Sequence, residues 1–317
     1  MDDLNAILTP GMLVRHPQHP DWGVGQVQSN IGGKLTVNFR NQGKMVIDSY
    51  RVGLTPVFDD QPPMTLVKSA AYQVRLARTS EDLRAAQRLR YDVFITELGG
   101  SGPLVDHAHK LEIDKFDDFV DHLLLIDTKT GQTVGVYRLL RRDMADRAGG
   151  FYSENEYDLS KLKSSGCPIL ELGRSCLHPA YRGGTAMHQL WSGLAAYVAL
   201  HKIEILFGVA SFHGTDINTL AQPLSMLHHH HLAPPEFRVI ALPEAYQNMN
   251  LIEETSLDRR SAMIQIPSLI KAYLRLGGFV GDGAFIDHDF NTTDVCVMLD
   301  ISCLSERKWK MFGGDTR

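Results

Sequence analysis

The amino-acid sequence predicts an α/β domain, a mixed sheet flanked by helices, with a small all-β barrel in front of it. Three observations carry that prediction. Residues 10–57 alternate apolar and polar side chains between tight turns and show no helical period. The proline pair in FDDQPPMTLVKSA then interrupts the pattern. Beyond it, helix-like and strand-like runs alternate and include a strand–loop–helix–strand unit. The predicted division is a barrel at 1–57, a linker at 58–71 and an α/β domain at 72–317.

The individual elements support this division. Leu35, Val37 and Phe39 alternate between Gly32-Gly33 and Asn41-Gln42-Gly43, which reads as hairpins. Thr79 to Asp82 fits the Ser/Thr-x-x-Asp/Glu capping signal before a helix on which Leu83, Ala86, Leu89 or Arg90, and Val93 share a face. The runs at 122–127 and 132–140 flank Thr128-Lys129-Thr130-Gly131, a hairpin signal. PILELGRSCL, the loop HPAYRGG, a helix at 185–201 and the strand EILFGVAS form a βαβ unit, whose right-handed crossover makes the two strands parallel. LIKAYLRL reads as helix and TDVCVMLDI as strand, with its place in the sheet open.

Composition narrows the class. With 317 residues, 44% hydrophobic and 22% charged, the chain is neither disordered nor fibrous. A net charge of −5 argues against a general nucleic-acid coat, which binds by neutralising phosphates. No apolar run reaches the roughly 18–20 residues that span a bilayer, and the start MDDLNAIL lacks a basic leader region, so a cytoplasmic protein is expected. Cys167, Cys176, Cys296 and Cys303 form no CxxC pair and read as reduced thiols.

Two groups of residues could carry chemistry. Tyr181-Arg182-Gly183-Gly184-Thr185-Ala186 opens a helix after a strand, where free N–H groups and the helix dipole favour an anion. An ordinary glycine turn is the alternative. The second group is Arg90 and Phe94, Glu112, Asp114 and Asp117, Arg138, and Glu171 with Arg174. Arg138 and Glu171 lie within apolar strand runs, so some of these charges must point inward and be paired.

The glycine loop resembles the acyl-donor loop of the GNAT acetyltransferase superfamily, Gln/Arg-x-x-Gly-x-Gly/Ala, which grips a pantetheine phosphate. Tyr181 at the first position, Arg182 displaced by one and Ala186 at the end depart from that pattern and weaken the case for coenzyme A. The charge order resembles the R…F…ExDxFD…R…ExxR order of the acyl-homoserine-lactone synthases, GNAT relatives. Over residues 72–302, ELGRSCLHPAYRGG, FGVASFHGTD, LHHHHLAPPEFR and IPSLIKAYLRLGGFVGDGAFIDHDFNTTD resemble the bacterial ornithine N-acyltransferases that make lyso-ornithine lipid. The resemblance implies a GNAT-like mixed sheet and transfer of a 3-hydroxyacyl chain from acyl carrier protein to the α-amine of L-ornithine. The co-substrate is then a phosphopantetheine thioester, with no permanently bound cofactor and no metal. Glutamine or glycine acylation, acyl-homoserine-lactone synthesis, and a catalytically inactive interaction scaffold are the alternatives.

A thioester needs only alignment, proton removal from the amine and an oxyanion site. Glu171 is the expected base, or else it pairs with Arg138 or Arg174. Asp114 and Asp117 are expected to hold ammonium groups, and Arg174 or Arg138 the carboxylate. Arg90, Phe94 and Glu112 complete the substrate side. The oxyanion donors are expected near Leu177 and Ser211.

Other features have plainer readings. Arg138, Arg141, Arg142 and Arg147 suit an acidic carrier protein or form a solvated face. His228–His231 read as a helix end, since four successive histidines point different ways; His213 reads as a structural histidine or an auxiliary base. The apolar side of 267–276 either packs in the core or touches the inner face of a membrane. VRHPQHPDWGVGQVQ and GKLTVNFRNQGKMVI resemble small SH3-like barrels of unassigned function, with no nucleic-acid binding inferred.

Overall fold

The computed structural model describes residues 4–5, 8, 10, 12–56, 65–288 and 290–314. Two compact units result, Met1–Met64 with Leu76–Ala85, and Thr65–Arg75 with Ala86–Arg317.

In the first unit, β1 (Leu13–Arg15), β2 (Gly25–Ile31), β3 (Lys34–Phe39), β4 (Gly43–Asp48) and β5 (Thr55–Pro56) form an antiparallel five-stranded sheet in the order β4-β3-β2-β1-β5. Gly32 and Gly33 both adopt positive φ, which a two-residue hairpin turn demands. The expected alternation turns Leu35, Val37 and Phe39 inward, where they join Val14, Val27, Ile47 and Leu54 in one core. The Thr79 hydroxyl accepts from the Asp82 N–H at 3.0 Å, and the Asp82 carboxylate accepts from Thr79 N at 3.2 Å, the reciprocal cap that starts α1 (Ser80–Arg90).

The second unit carries the strands β6 (Thr65–Lys68), β7 (Tyr72–Leu76), β8 (Asp121–Asp127), β9 (Thr133–Arg141), β10 (Tyr157–Asp158), β11 (Ile169–Leu177), β12 (Ile205–His213), β13 (Ile240–Ala241), β14 (Tyr246–Gln247), β15 (Phe279–Val280), β16 (Ala284–Asp287) and β17 (Thr292–Asp300). Ten of them form one mixed sheet, with the path β14-β16-β17-β12-β11-β9-β8-β7-β6 and β15 beside β17. The helices after α1 are α2 (Arg142–Ala148), α3 (Ser160–Ser164), α4 (Ala186–His201), α5 (Ile217–His231), α6 (Arg259–Gln265), α7 (Ser268–Leu276) and α8 (Glu306–Phe312). Thus the fold is α/β, with a helix-flanked mixed sheet and an N-terminal antiparallel sheet unit. Part of the stretch expected as linker, Thr65–Lys68, is strand β6, while residues 58–64 lie outside the described residues.

The βαβ unit β11–α4–β12 is parallel, as expected of neighbouring strands joined through a helix. β17 is central, between β12 and β16, and Val295–Leu299 are buried throughout, as in any strand covered on both faces. α7 turns Ile270, Tyr273, Leu274 and Leu276 into the protein, so its apolar side packs in the core. His228–His231 form the last turn of α5, with His229 Nε2 2.9 Å from the Ile252 carbonyl oxygen. Among the described residues, no helix is long and apolar enough to cross a membrane.

Candidate active site

The site begins where the sheet opens. Parallel pairing of β11 with β12 runs through Ile169↔Ile205 and Leu170↔Leu206 and ends at Glu171↔Phe207. Just past that point Gly208 passes so close to β11 that an added Cβ would lie 2.2 Å from the Leu172 carbonyl oxygen, so only glycine fits. On the other side of β11, the register against β9 shifts between Gly173 and Cys176, and Arg174 takes the left-handed φ of 49°. A bulge of this kind bends a strand and re-aims its side chains. The opened ladder borders a cavity of about 450 Å³, lined by Gly173–Ser175 from β11 and Gly208–Ser211 from β12.

Strand alternation sorts the lining into two faces. Cross-strand partners share a face, so Glu171, Phe207, Ser211 and Asp294 stand on one side, as the pairs Glu171↔Phe207 and Ser211↔Asp294 require. Arg138 precedes Glu171's partner Leu140 by two residues and joins that side. Tyr137, Leu206, Val297 and Leu299 stand on the other, where Tyr273 of α7 meets Tyr137, hydroxyl to hydroxyl, at 3.0 Å. Leu269 of α7 adds to the apolar lining. The cavity therefore joins a charged face to an apolar one through the split between β11 and β12.

Glu171 is buried, and its carboxylate accepts the N–H groups of Tyr152 at 2.9 Å and Ser153 at 2.7 Å. Burial pushes its carboxyl above the usual range despite those two bonds. It does not take the place of an arginine's partner. Arg138 Nη1 lies 2.9 Å from Asp114 Oδ2, and Arg174 reaches Glu112 at 3.1 Å and Asp114 at 3.3 Å.

Those contacts belong to a larger buried network. Arg90 is fully buried, bonds Glu112 through Nε, and grips Asp117 with Nη1 at 2.7 Å and Nη2 at 3.0 Å. Gln87 gives Asp117 a further bond at 3.0 Å. Although burial opposes it, Arg90 holds the Asp117 carboxyl down at about 2. Asp114 and Asp117, expected to hold ammonium groups, instead anchor arginines, and neither they nor Glu112 and Arg90 border the cavity. Arg138, Arg174 and Phe94 do border it, with the Arg174 guanidinium 5.0 Å from the Tyr152 ring and 6.0 Å from that of Phe94.

The glycine loop lies exposed at the start of α4 and outside the cavity lining. Tyr181 donates to Asp127 at 2.7 Å, and Arg182 forks onto Glu97 at 2.6 and 2.7 Å while its Nε holds the Leu177 carbonyl. Gly183 has a φ of 76°, Gly184 follows, Thr185 is the N-cap of α4 without a side-chain cap bond, and Ala186 is buried as its first residue. Leu177 is buried against Gly135, whereas Ser211 and His213 border the cavity. Of the basic stretch, Arg138 is buried, Arg141 pairs with Asp121 and Asp143, and Arg142 donates to the Lys163 carbonyl.

Three residues escaped sequence reasoning. Glu156, Asp287 and Asp294 line the cavity, and one carboxylate oxygen from each lies within 4.8 Å of the other two. Glu156 and Asp294 are 5% and 4% exposed, and among the described residues Glu156 Oε2 and Asp294 Oδ1 have no hydrogen-bond partner. Burial and the neighbouring carboxylates push Glu156 up to about 9; burial pushes Asp294 up to about 6 against the Ser211 and Thr292 hydroxyls. Asp294 was discoverable as a lone carboxylate at the head of the apolar run VCVML, the signal that marked Glu171. Glu156, in the polar segment SENEYD, carried none.

A split parallel pair opening beside a strand–glycine loop–helix unit, with a buried carboxylate at the split, defines an acyltransferase of the GNAT type. Residues 89–192 match the Acetyltransferase (GNAT) domain family, and residues 8–57 match a family of unknown function, DUF3553. The chain is 57% identical over 242 residues to an L-ornithine N(alpha)-acyltransferase of Rhodobacter capsulatus, covering 75% of this chain and 93% of that protein. It is 41% identical over 257 residues to one of Brucella abortus, covering 79% and 92%. Among solved structures it is similar to a CoA-dependent acyl-homoserine lactone synthase, BjaI, at a TM-score of 0.42 and 14% identity, over 75% of this chain and 88% of that one. The chain belongs to the L-ornithine N(alpha)-acyltransferase family.

Proposed function

We propose that this enzyme transfers a 3-hydroxyacyl chain from the phosphopantetheine thioester of acyl carrier protein to the α-amine of L-ornithine, giving lyso-ornithine lipid. The observation that carries this reading is the two-faced cavity: charged acceptor side, apolar acyl side, and a split ladder where the two substrates meet. The names of the curated relatives support ornithine as the acceptor.

In this reading the ornithine carboxylate lies against Arg174 and Arg138, which places the α-nitrogen toward Glu171. Glu171, directly or through a water, takes the proton as the nitrogen attacks the thioester carbonyl carbon. Backbone N–H groups freed where the β11–β12 ladder ends stabilise the oxyanion. The C–S bond then breaks, and the proton passes to the departing pantetheine sulfur. The exposed N–H groups of the loop at the start of α4 suit the pantetheine phosphate. The Tyr137 and Tyr273 hydroxyls and Ser175 place polar atoms in the otherwise apolar acyl side, a fit to a 3-hydroxyl group. Incubation with L-ornithine and 3-hydroxyacyl carrier protein should yield lyso-ornithine lipid by mass spectrometry. Absence of that product with both substrates verified overturns the proposal, and faster turnover of an acyl-CoA would replace its donor.

A further inference from the structure

We propose that Glu156, Asp287 and Asp294 form a cation subsite that takes the side-chain ammonium of the acceptor amino acid. This deepens the ornithine reading and rests on it. The three carboxylates come from separate segments, the turn before β10, the end of β16 and the head of β17, yet converge on one side of the cavity. That side is the charged face, shared with Glu171 through the pair Ser211↔Asp294.

Two oxygens argue for a ligand. Glu156 Oε2 and Asp294 Oδ1 are buried in cavity-lining residues and have no hydrogen-bond partner among the described residues. A buried acceptor left in this state is destabilising unless something donates to it. The network around Arg90 shows what the same fold does with acids that need no ligand: it supplies them with arginine. An alkylammonium is a compact charge with three donors on one atom, which matches three carboxylates that each offer one oxygen within 4.8 Å of the other two. Burial and the neighbouring carboxylates raise the Glu156 carboxyl, and arrival of a cation would lower it again.

The subsite has a consequence for which amine reacts. A side-chain nitrogen held as ammonium has no lone pair, so it cannot attack the thioester. The α-nitrogen, placed toward Glu171, can lose its proton. Selection of the α-amine over the side-chain amine thus follows from the position of the acids.

The test compares ornithine with 2-aminopentanoic acid, which has the same carbon chain without the side-chain amine. Calorimetry of the full chain, without any acyl donor, should show ornithine bound at least a hundredfold tighter, since the analogue leaves buried acceptors unpaired. Asp294→Asn and Glu156→Gln, each checked for an intact thermal transition, should weaken ornithine binding tenfold or more and leave the analogue nearly unchanged. Equal affinity of the native protein for the two acids, or equal losses for both in the variants, overturns the subsite. So does tight binding of Mg²⁺ or Mn²⁺ that ornithine fails to displace, which would make the trio a metal site. Because donor and turnover are absent, failure here is separate from failure to form the acylated product.

Discussion

The two buried clusters of charge in this domain obey opposite rules. Around Arg90 every carboxylate meets a guanidinium: Glu112 and Asp117 on Arg90, Asp114 on Arg138 and Arg174. Around Asp294, among the described residues, no cation is hydrogen-bonded to Glu156 Oε2 or Asp294 Oδ1. In the first cluster Asp114 and Asp117 are held below the usual range, Asp117 at about 2, whereas in the second Glu156 at about 9 and Asp294 at about 6 are raised above it. A satisfied cluster is part of the scaffold and an unsatisfied one awaits a ligand. This contrast explains why the charges most visible in the sequence serve largely to fix strand β9 and the bulge of β11.

The largest effect expected from breaking the contrast is at Arg90. Arg90→Met leaves Asp117 buried without its guanidinium and Glu112 with Arg174 alone, and should cost about 3–5 kcal/mol of stability, read from the urea midpoint. A loss below about 1 kcal/mol would show that the network is not structural.

Glu156→Gln should act in the other direction. The folded carboxyl, at about 9, lies above its unfolded value of 4.5, so its contribution to stability is fully present below 4.5 and is lost as pH rises toward 9. Native protein and variant should therefore match at pH 4, whereas at pH 8 the variant should be more stable, by up to about 5 kcal/mol. A pH-independent difference would contradict the sign.

The smallest stability effect is expected at Arg182, whose fork onto Glu97 is exposed. Arg182→Ala should change stability by less than about 1 kcal/mol while raising KM for the acyl donor and sparing KM for ornithine. An unchanged donor KM would remove this loop from donor binding.

Legibility in the sequence followed the same division. The unit β11–α4–β12 was plain because its apolar runs, glycine loop and helical period are local features. Arg138 and Glu171 were recognisable as inward because each interrupts an apolar strand. Their partners were not, since pairing depends on where the 106–120 loop returns to the sheet, and Asp114 rather than Glu171 meets Arg138 there. Asp287 and Asp294 come together across the β16–β17 hairpin, but Glu156 joins them from about 130 residues away, so no spacing rule reaches the trio. The short strand β6 escaped notice because four residues beside a proline pair resemble a linker.

A structure of the protein with L-ornithine and a non-reactive acyl-pantetheine amide is the most direct measurement. The account predicts the amino acid beside Arg138 and Glu171, the acyl chain beside Leu206, Val297 and Leu299, and the amide carbonyl in the split between β11 and β12. Both substrates on one face of the sheet, or an α-nitrogen turned away from Glu171, would contradict it.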